Sequence, residues 1–258
     1  MPELPEVETV RRGLQRLLPG QTIAGVTHDN AKSFPNAPAD VREFLVGAYV
    51  VEVTRRAKVL LIELSTKYSL VIHLKMTGQL VYIAEPGAKP GDAGRFGAGH
   101  PSASLIGELP DRSTRVVFTF AGGGHLYFND QRKFGWVRLL PTAEVPQIDF
   151  MKKVGPEPLS DDFTWEIMQE RLQRRKNTNI KAALLDQSVI AGVGNIYADE
   201  SLWGAKIHPT TLVKNVSPGH IRDLYEALRA VLQLSIDKGG STDSHYVDAE
   251  GKPGKYLT

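Results

Sequence analysis

The sequence predicts an α+β protein, with an N-terminal antiparallel β-sandwich flanked by helices and a C-terminal helical domain. Short runs rich in branched residues follow one another without intervening helices in the first half of the chain. Farther along, apolar residues recur at helical spacing. A segment containing prolines separates the two patterns, so we expect a first domain at 1–140, a linker at 141–158 and a helical domain at 159–258.

The first expected element is an amphipathic helix. One apolar stripe at helical period carries Val7, Val10, Leu14 and Leu17. Pro2 and Pro5 precede or open this helix, where a missing N–H group costs nothing. Pro19-Gly20 then ends it.

Strands are expected next. Five runs predict them, at residues 50–53, 59–62, 70–72, 116–120 and 125–128. A glycine run, residues 122–124, separates the last two and predicts a hairpin. Residues 84–110 break the pattern, because they are crowded with Gly and Pro and lack apolar periodicity. We expect a long mobile loop or insertion there, with little functional content.

Four helices are expected after the linker. Thr164 is a suitable N-cap for the first, and residues 180–184 and 196–203 mark the next two. Ser217-Pro218 is a strong start signal for the last helix, and Gly239-Gly240 ends it. The apolar stripe of that helix holds Ile221, Leu224, Leu228, Val231 and Leu232.

Composition excludes several classes of protein. The chain has 258 residues, 31 Lys+Arg against 29 Asp+Glu, and no cysteine. Disulfides, thiol catalysis and cysteine-ligated zinc are therefore excluded. No run approaches the ~20 apolar residues of a membrane-spanning helix, and the charged N-terminus is unlike a secretory signal. A net charge of +2 is compatible with a polyanionic partner without requiring one.

The N-terminus offers a nucleophile. Removal of Met1 would leave Pro2 as a secondary amine, and because an α-amino group titrates near 8, part of it is unprotonated at neutral pH. Such an amine attacks carbonyl-like carbon to give an iminium ion. Glu3 and Glu6 stand beside it as a possible acid and charge stabiliser. The alternative is that Pro2 and Pro5 only shape the start of the helix.

Five strings along the chain share one resemblance. They are MPELPEVETVRRGL at the N-terminus, RRAKVLLIEL at 55–64, IHLKMTGQL at 72–80, NDQRKFGWVRL at 129–139 and DQSVIAGVGNIYADESLWGAKIHP at 186–209. In this order they resemble the formamidopyrimidine-DNA glycosylase and endonuclease VIII family of bacterial base-excision repair enzymes. VGPEPLS at 154–160 and GGST at 239–242 also fit. The KMTGQL and GPEPL strings are more similar to the formamidopyrimidine branch. The resemblance implies a β-sandwich followed by a helical domain with a helix–two-turn–helix motif.

Catalytic roles follow from the resemblance residue by residue. It implies that Pro2 attacks C1′ of the damaged nucleotide and that Glu3 donates the proton that assists opening of the sugar ring. Lys58 matches a lysine near the lesion phosphate that donates a proton during β-elimination. Without the resemblance, Lys58 is either a strand-edge residue or a site residue. Glu6 is a further candidate for contact with the lesion or a phosphate.

Three side chains match those that the family inserts into the duplex once the lesion has left the stack. They are Met76, Arg132 and Phe134. An apolar wedge with an arginine can fill the gap left by a flipped nucleotide and pair with the orphaned base. Lys133 is then expected at a phosphate. Without the resemblance, Met76 would be assigned to core packing and Arg132-Lys133 to a solvated turn.

The segment Gly192–Asn195 is expected to lie between two helices. Glycines allow close backbone approach, and N–H groups at the start of the next helix point toward an anion. Asn195 matches a family asparagine on a phosphate near the lesion; an ordinary glycine-terminated helix joint is the alternative. Nearby cations could add long-range attraction or form a solvated helix face, namely Arg174, Arg175, Lys176 and Lys181.

Three departures from the family pattern are present. Ser113 stands where a DNA-contacting histidine is expected, and Arg115 is a partial substitute. Asn177 stands in place of a lysine before the second helix, and Ser113, Arg115 and Asn177 are candidate lesion or phosphate contacts. The chain stops at Thr258, where the family runs on into a four-cysteine zinc finger. No cofactor is therefore expected in this chain, and zinc only if the native chain continues past Thr258.

The resemblance implies a bifunctional glycosylase and abasic-site lyase. Its expected substrates are oxidised purines, 8-oxoguanine and formamidopyrimidines, in duplex DNA. The expected form is a monomer in the bacterial cytoplasm, associated with the nucleoid and not with a membrane. Two alternatives stay open, a non-catalytic damaged-DNA-binding protein and an endonuclease VIII-like enzyme for pyrimidine lesions.

Overall fold

The computed structural model describes residues 1–240, which divide into two compact units. The first holds Met1–Ile148 and the few described residues from Lys238 onward, and the second holds Asp149–Asp237. Each unit is described by itself below. The predicted last part of the helical domain, 241–258, lies outside the described residues. No helix within 1–240 is long and apolar enough to cross a membrane.

The first unit is built of nine strands and two helices. The helices are α1 Leu4–Leu17 and a short α2 Pro38–Asp40, which continues as a π-helical turn over Val41–Leu45. The strands are β1 Ile23–His28, β2 Val50–Arg56, β3 Val59–Leu64, β4 Tyr68–His73, β5 Gly78–Ile83, β6 Arg95–Gly99, β7 Thr114–Phe120, β8 His125–Asp130 and β9 Trp136–Pro141.

The strands form two antiparallel sheets. A five-stranded sheet has the order β1-β7-β8-β5-β6, and a four-stranded sheet has the order β2-β3-β4-β9. Apolar side chains of both sheets join one core, with Phe118, Phe128, Leu60 and Ile72 among the fully buried members. The fold thus buries one face of each sheet against the other, as the strand pattern predicts.

Helix α1 packs into the same core. Val7, Val10 and Leu14 have no exposed surface, which confirms the predicted apolar stripe. Gly13 faces β6 so closely that a Cβ at this position would overlap the Phe96 ring. The helix is therefore fixed along its length, and its first turn is held in place for the chemistry described below.

The prediction of a loop of little structure over 84–110 is wrong. β6 pairs with β5 from Gln79 to Ile83, and all five residues of β6 are buried. The guanidinium of Arg95 donates to the carbonyls of Leu105 at 3.1 Å and Gly107 at 2.7 Å, so it ties the following segment to the strand. The strand is hard to see in the sequence because most of it is small residues between glycines and prolines.

The second unit is helical, with one short and four longer helices. These are α3 Asp149–Lys153, α4 Trp165–Gln173, α5 Ile180–Leu185, α6 Asn195–Gly204 and α7 Pro218–Asp237. Thr164 caps α4 as predicted, by accepting a hydrogen bond from the backbone N–H of Ile167. The predicted stripe of α7 is buried, apart from Val231, which is half-buried. The Tyr197 and Ser235 hydroxyls join α6 to α7 through a 2.6 Å hydrogen bond.

Candidate active site and nucleic-acid interface

The first turn of α1 presents two acidic side chains beside Pro2. Glu3 is the N-cap, and Glu3 and Glu6 form a reciprocal capping box in which the Glu3 N–H donates to Glu6 Oε2 at 2.9 Å. Both glutamates are only 4% exposed, and Pro2 is buried behind an exposed Met1. The capping geometry therefore fixes the Glu3 carboxylate next to the residue that Met1 removal would turn into an amine.

Lys58 lies in the same electrostatic neighbourhood. It follows Ala57, which has a left-handed φ of 53°, in the tight turn between β2 and β3. Burial lowers the pKa of the Lys58 ammonium, and the carboxylates of Glu3 and Glu6 partly offset this by raising it. The structure thus brings together three predicted site residues, an amine and two carboxyl groups, at the N-terminus of α1.

An ion pair between Arg55 and Glu8 holds the Lys58 turn against α1. Arg55 Nε donates to Glu8 Oε2 at 3.1 Å, and its Nη1 donates to the Ala57 carbonyl at 2.8 Å. Burial alone would raise the pKa of Glu8, but Arg11 and Arg55 outweigh it and leave that pKa lowered. Sequence reasoning missed Arg55 and Glu8, although both lie within strings that it used, because the pairing depends on how the hairpin packs on the helix.

Two loops of the first unit present the predicted wedge residues. Met76, between β4 and β5, is 37% exposed, and Phe134, between β8 and β9, is 53% exposed. Both side chains are therefore accessible to a partner at the surface of the unit. The Arg132 guanidinium stacks over the Phe134 ring at 4.8 Å from its centroid.

The second of these loops borders a cationic groove. The groove has a volume of about 930 Å³, and its lining includes Lys32, Lys75, Arg132, Lys133 and Phe134. Four of the eight lining residues are positively charged and none is negatively charged, so the groove is suited to a polyanion. Lys133 is exposed, as expected of a phosphate contact.

Ser113 and Arg115 lie inside the first unit. The Ser113 hydroxyl donates to Asp111 Oδ1 at 2.7 Å and is bonded to Ser104, and Ser113 is 6% exposed. Arg115 is 7% exposed; it pairs with Asp29, and its Nε donates to a backbone carbonyl at 2.8 Å. Ser113 directly precedes β7 and Arg115 lies in a bulge near its start, and both side chains are used in contacts within the unit. Neither is included in the DNA contacts proposed below.

In the second unit, a glutamine shapes the turn before α6. Gln187 Oε1 accepts from the Gly192 N–H at 2.8 Å, and its Nε2 donates to the Val193 carbonyl at 2.8 Å. Gly192 has a φ of +82°, a conformation that favours glycine. Gly194, the N-cap of α6, has no side chain to cap the helix, and Asn195 follows it exposed. The first turn of α6 thus presents the exposed amide side chain of Asn195.

Other predicted contacts of the second unit are engaged at its surface. Lys181 Nζ pairs with Asp199 Oδ1 at 2.8 Å and stays 30% exposed. Asn177 accepts a 3.3 Å hydrogen bond from Lys214 Nζ. A cation therefore stands beside the asparagine that replaces the expected lysine. Sequence reasoning did not single out Lys214, which lies 37 residues away along the chain.

The residues present do not fit a zinc finger of the kind that the resemblance implies. Such a site needs four cysteine thiolates, and the chain has no cysteine. Within residues 1–240, no three His, Asp or Glu side chains are grouped so that they could hold a metal ion.

Comparison with known proteins establishes the family. The family model described as the formamidopyrimidine-DNA glycosylase N-terminal domain matches residues 1–137. The one described as the formamidopyrimidine-DNA glycosylase H2TH domain matches residues 154–246. The chain belongs to the formamidopyrimidine-DNA glycosylase family, a family of DNA-repair glycosylases.

Individual relatives agree along nearly the whole chain. The formamidopyrimidine-DNA glycosylases of Pelotomaculum thermopropionicum and Herpetosiphon aurantiacus are both 41% identical, over 99% of this chain and 85% of each relative. A solved complex of Lactococcus lactis Fpg with DNA containing an abasic site is 32% identical, with a TM-score of 0.83 over 99% of this chain and 85% of that one. A complex of the same enzyme with N7-benzyl-Fapy-dG DNA has a TM-score of 0.82 at 33% identity, over 99% and 86%. These likenesses confirm the predicted α+β fold class.

Proposed function

We propose that this chain is a bifunctional DNA glycosylase and abasic-site lyase that removes oxidised purines from duplex DNA. The observation that carries the proposal is the cluster of Glu3, Glu6 and Lys58 at the start of α1, directly beside Pro2. The names of the relatives favour formamidopyrimidines, which are ring-opened purines, over pyrimidine lesions. A DNA substrate also implies a place beside the bacterial chromosome.

Base release begins at the Pro2 nitrogen once Met1 has been removed. Its lone pair forms a bond to C1′ of the damaged nucleotide, while the bond from C1′ to the base breaks and its electron pair leaves with the base. Glu3 donates a proton to O4′ as the bond between C1′ and O4′ opens. As the bond between C1′ and O4′ opens, the Pro2 nitrogen loses its N–H proton, which neutralises the departing base. The products are the neutral base and an iminium ion between Pro2 and C1′, with a hydroxyl group at C4′.

Strand cleavage follows from that iminium ion. Loss of a proton from C2′ to water converts the iminium ion into an enamine with a C1′–C2′ double bond. The electron pair of the enamine then forms a C2′–C3′ double bond as the bond between C3′ and its phosphate oxygen breaks, and this restores an iminium ion conjugated with the new double bond. Lys58 donates a proton to the departing phosphate, and its lowered pKa makes this transfer easier than from an ordinary lysine. Water then releases the cleaved strand from Pro2.

The duplex is held by both units. Met76, Arg132 and Phe134 fill the gap left by the flipped nucleotide. Lys133 contacts a phosphate. In the second unit, the exposed side chain of Asn195 binds another phosphate. The remaining proposed contacts of that unit, Lys181 and the pair of Asn177 with Lys214, add positive charge.

A product gel tests the proposed activity. A duplex with 8-oxoguanine in one labelled strand is incubated with the Met1-processed protein and then treated with borohydride. We expect a covalent protein–DNA adduct, much reduced in Pro2→Gly although that variant still binds the duplex. Retention of Met1 should also prevent formation of the covalent adduct. Binding without any adduct would support the non-catalytic alternative, and faster release of an oxidised pyrimidine would support the endonuclease VIII type.

Truncating the wedge tests the duplex contacts. Phe134→Ala should slow excision from the duplex, because nothing then fills the opened stack, and should leave β-elimination at a single-stranded abasic site nearly unchanged. Tyr49→Ala is the matched control, because it truncates a half-exposed aromatic residue that lies outside the two loops of Met76 and Phe134. Equal losses on the two substrates would show that Phe134 only packs.

A further inference from the structure

A buried carboxylate ends β8 immediately before the Arg132–Phe134 turn. Asp130 has no exposed surface. Its Oδ1 accepts from the Thr77 hydroxyl and, at 3.2 Å, from the Arg132 N–H. Its Oδ2 accepts from the Gly135 N–H at 2.7 Å. One carboxylate thus holds both ends of the turn that carries Phe134.

Thr77 extends this contact to the other wedge loop. It directly follows Met76 and is 8% exposed. Its hydroxyl donates to Asp130 and accepts from the Arg132 N–H at 3.0 Å. Both hydrogen bonds of this hydroxyl, the one it donates and the one it accepts, are made with the segment that carries Phe134. The positions of Met76 and Phe134 are therefore coupled. We call Asp130 and Thr77 the loop clamp.

Both loops have backbones that need such support. Lys75 and Lys133 have left-handed φ values of 52° and 58°, and each directly precedes a wedge residue. A residue with a Cβ reaches this conformation only at an energetic cost, which the surrounding contacts must outweigh. At Gly135 an added Cβ would lie 2.8 Å from the His73 carbonyl oxygen. The end of the turn therefore packs directly against the backbone of β4.

We propose that the loop clamp is a pair of positioning residues that preorganises the wedge before DNA arrives. The inference rests on the proposed function and adds a part to it. Side chains that are already fixed lose little conformational freedom when they insert into DNA. More of the free energy of their contacts with DNA is then available to open the base stack. Without the clamp the two loops move independently, and nucleotide flipping in a duplex slows. Chemistry at a nucleotide that is already unstacked does not depend on the clamp.

The test compares Thr77→Val with Thr77→Ser. Valine has nearly the volume of threonine but lacks the hydroxyl, whereas serine keeps it. The readouts are single-turnover excision of 8-oxoguanine from a duplex and β-elimination at a single-stranded abasic site. The fluorescence rise of 2-aminopurine placed next to the lesion reports opening of the stack. Thr66→Val is the matched control, since it removes a hydroxyl that donates to the Phe44 carbonyl in a remote turn.

We expect Thr77→Val to slow duplex excision and the 2-aminopurine rise by roughly tenfold, the effect of losing about one buried hydrogen bond. Elimination on the single strand should stay within about twofold of wild type, Thr77→Ser should restore the duplex rates, and Thr66→Val should match wild type. Equal losses on both substrates, no loss on the duplex, or no rescue by serine would each overturn the clamp.

Folding and function are separated by two further measurements. Thermal unfolding shows whether Thr77→Val is folded at the assay temperature; if it is not, Thr77→Ala removes the hydroxyl without placing a methyl group against the carboxylate. If neither folds, the pair is a determinant of folding and the inference is overturned. A wild-type protein that forms no borohydride adduct overturns the proposed function and the clamp with it. A normal wild-type adduct with unaltered Thr77→Val rates overturns the clamp alone.

Discussion

Glu3 combines two duties at the start of α1, since it caps the helix and faces the site. A glutamine at this position keeps an oxygen that can accept from the Glu6 N–H but cannot act as a proton donor of the same strength. The two duties can therefore be separated by one substitution. The turn that carries Lys58 also has two roles. It places Lys58 near the carboxylates of Glu3 and Glu6, and it joins β2 to β3.

Glu3→Gln should slow base release by roughly 100-fold, the lower end of the usual contribution of a general acid, and leave duplex affinity nearly unchanged. Single-turnover base release and fluorescence anisotropy measure the two effects. Glu52→Gln, an exposed position on β2, is the control and should behave as wild type. An unchanged rate of base release in Glu3→Gln would exclude Glu3 as the proton donor.

His73 makes a second residue-scale prediction, this time on stability. Burial, with Lys75 and Lys58 nearby, lowers the pKa of His73 from 6.5 to about 3, so the neutral ring accepts from the Lys75 N–H through Nδ1 at 3.0 Å. Below pH 6.5, His73 becomes protonated in the unfolded chain but stays neutral in the folded chain. The stability from neutral His73 is therefore complete above about pH 6.5 and falls toward pH 3, by at most about 1.4 kcal/mol per pH unit.

The measurement compares the melting temperature of wild type and His73→Asn between pH 7.5 and 4.5. Asparagine keeps an acceptor near the Nδ1 position but does not titrate. The carboxyl groups that protonate in this range are common to both proteins, so the difference isolates His73. We expect the variant to lose less stability than wild type as the pH falls; parallel curves would show that His73 contributes nothing.

At the scale of elements, α1, α4–α7 and five of the nine strands within residues 1–240 were predicted, because their apolar periods are local. The short helices α2 and α3 and the strands β1, β5, β6 and β9 were not predicted. β6 is the clearest case. Its burial depends on β5 and on the close approach of Phe96 to Gly13, neither of which a local pattern reveals. The loop clamp was invisible for the same reason, since Thr77 and Asp130 stand 53 residues apart. Pro2, Glu3 and Lys58 were found because specific strings carry them.

Gly13→Ala tests whether β6 positions α1. Alanine favours a helix over glycine by about 1 kcal/mol, but overpacking against Phe96 costs roughly 1–3 kcal/mol, so net destabilisation is expected. The shift of α1 should also reduce borohydride trapping, because α1 carries Pro2. Gly122→Ala is the control, since its added Cβ meets nothing within 4 Å. A Gly13→Ala protein as stable and as active as wild type would contradict this role of β6.

At the scale of the molecule, binding to DNA should depend on salt through a few phosphate contacts. Four lysines are proposed near the DNA phosphates, Lys58, Lys133, Lys181 and Lys214. A slope of about −0.9 per contact then predicts that affinity falls about 150-fold between 50 and 200 mM salt. Lys133→Asn should reduce the slope by about 0.9. Lys67→Asn, at another left-handed lysine, is the control. An unchanged slope in Lys133→Asn would remove it from the interface.

Zinc should play no part in DNA binding by this chain. Since the chain has no cysteine, we expect the purified 258-residue protein to hold no stoichiometric zinc and to keep its DNA affinity in a chelator. Elemental analysis and DNA-binding titrations measure both; stoichiometric zinc or a loss of affinity in the chelator would contradict this account.

The central claim is that the N-terminal proline forms the covalent bond to DNA, and mass spectrometry of the trapped complex tests it most directly. The borohydride-reduced complex is digested with protease and nuclease, and the modified peptide is sequenced. The account predicts a peptide that begins at Pro2 and carries the reduced sugar fragment on the Pro2 nitrogen. A fragment attached to Lys58 or any other lysine, with an unmodified Pro2 peptide, would contradict it.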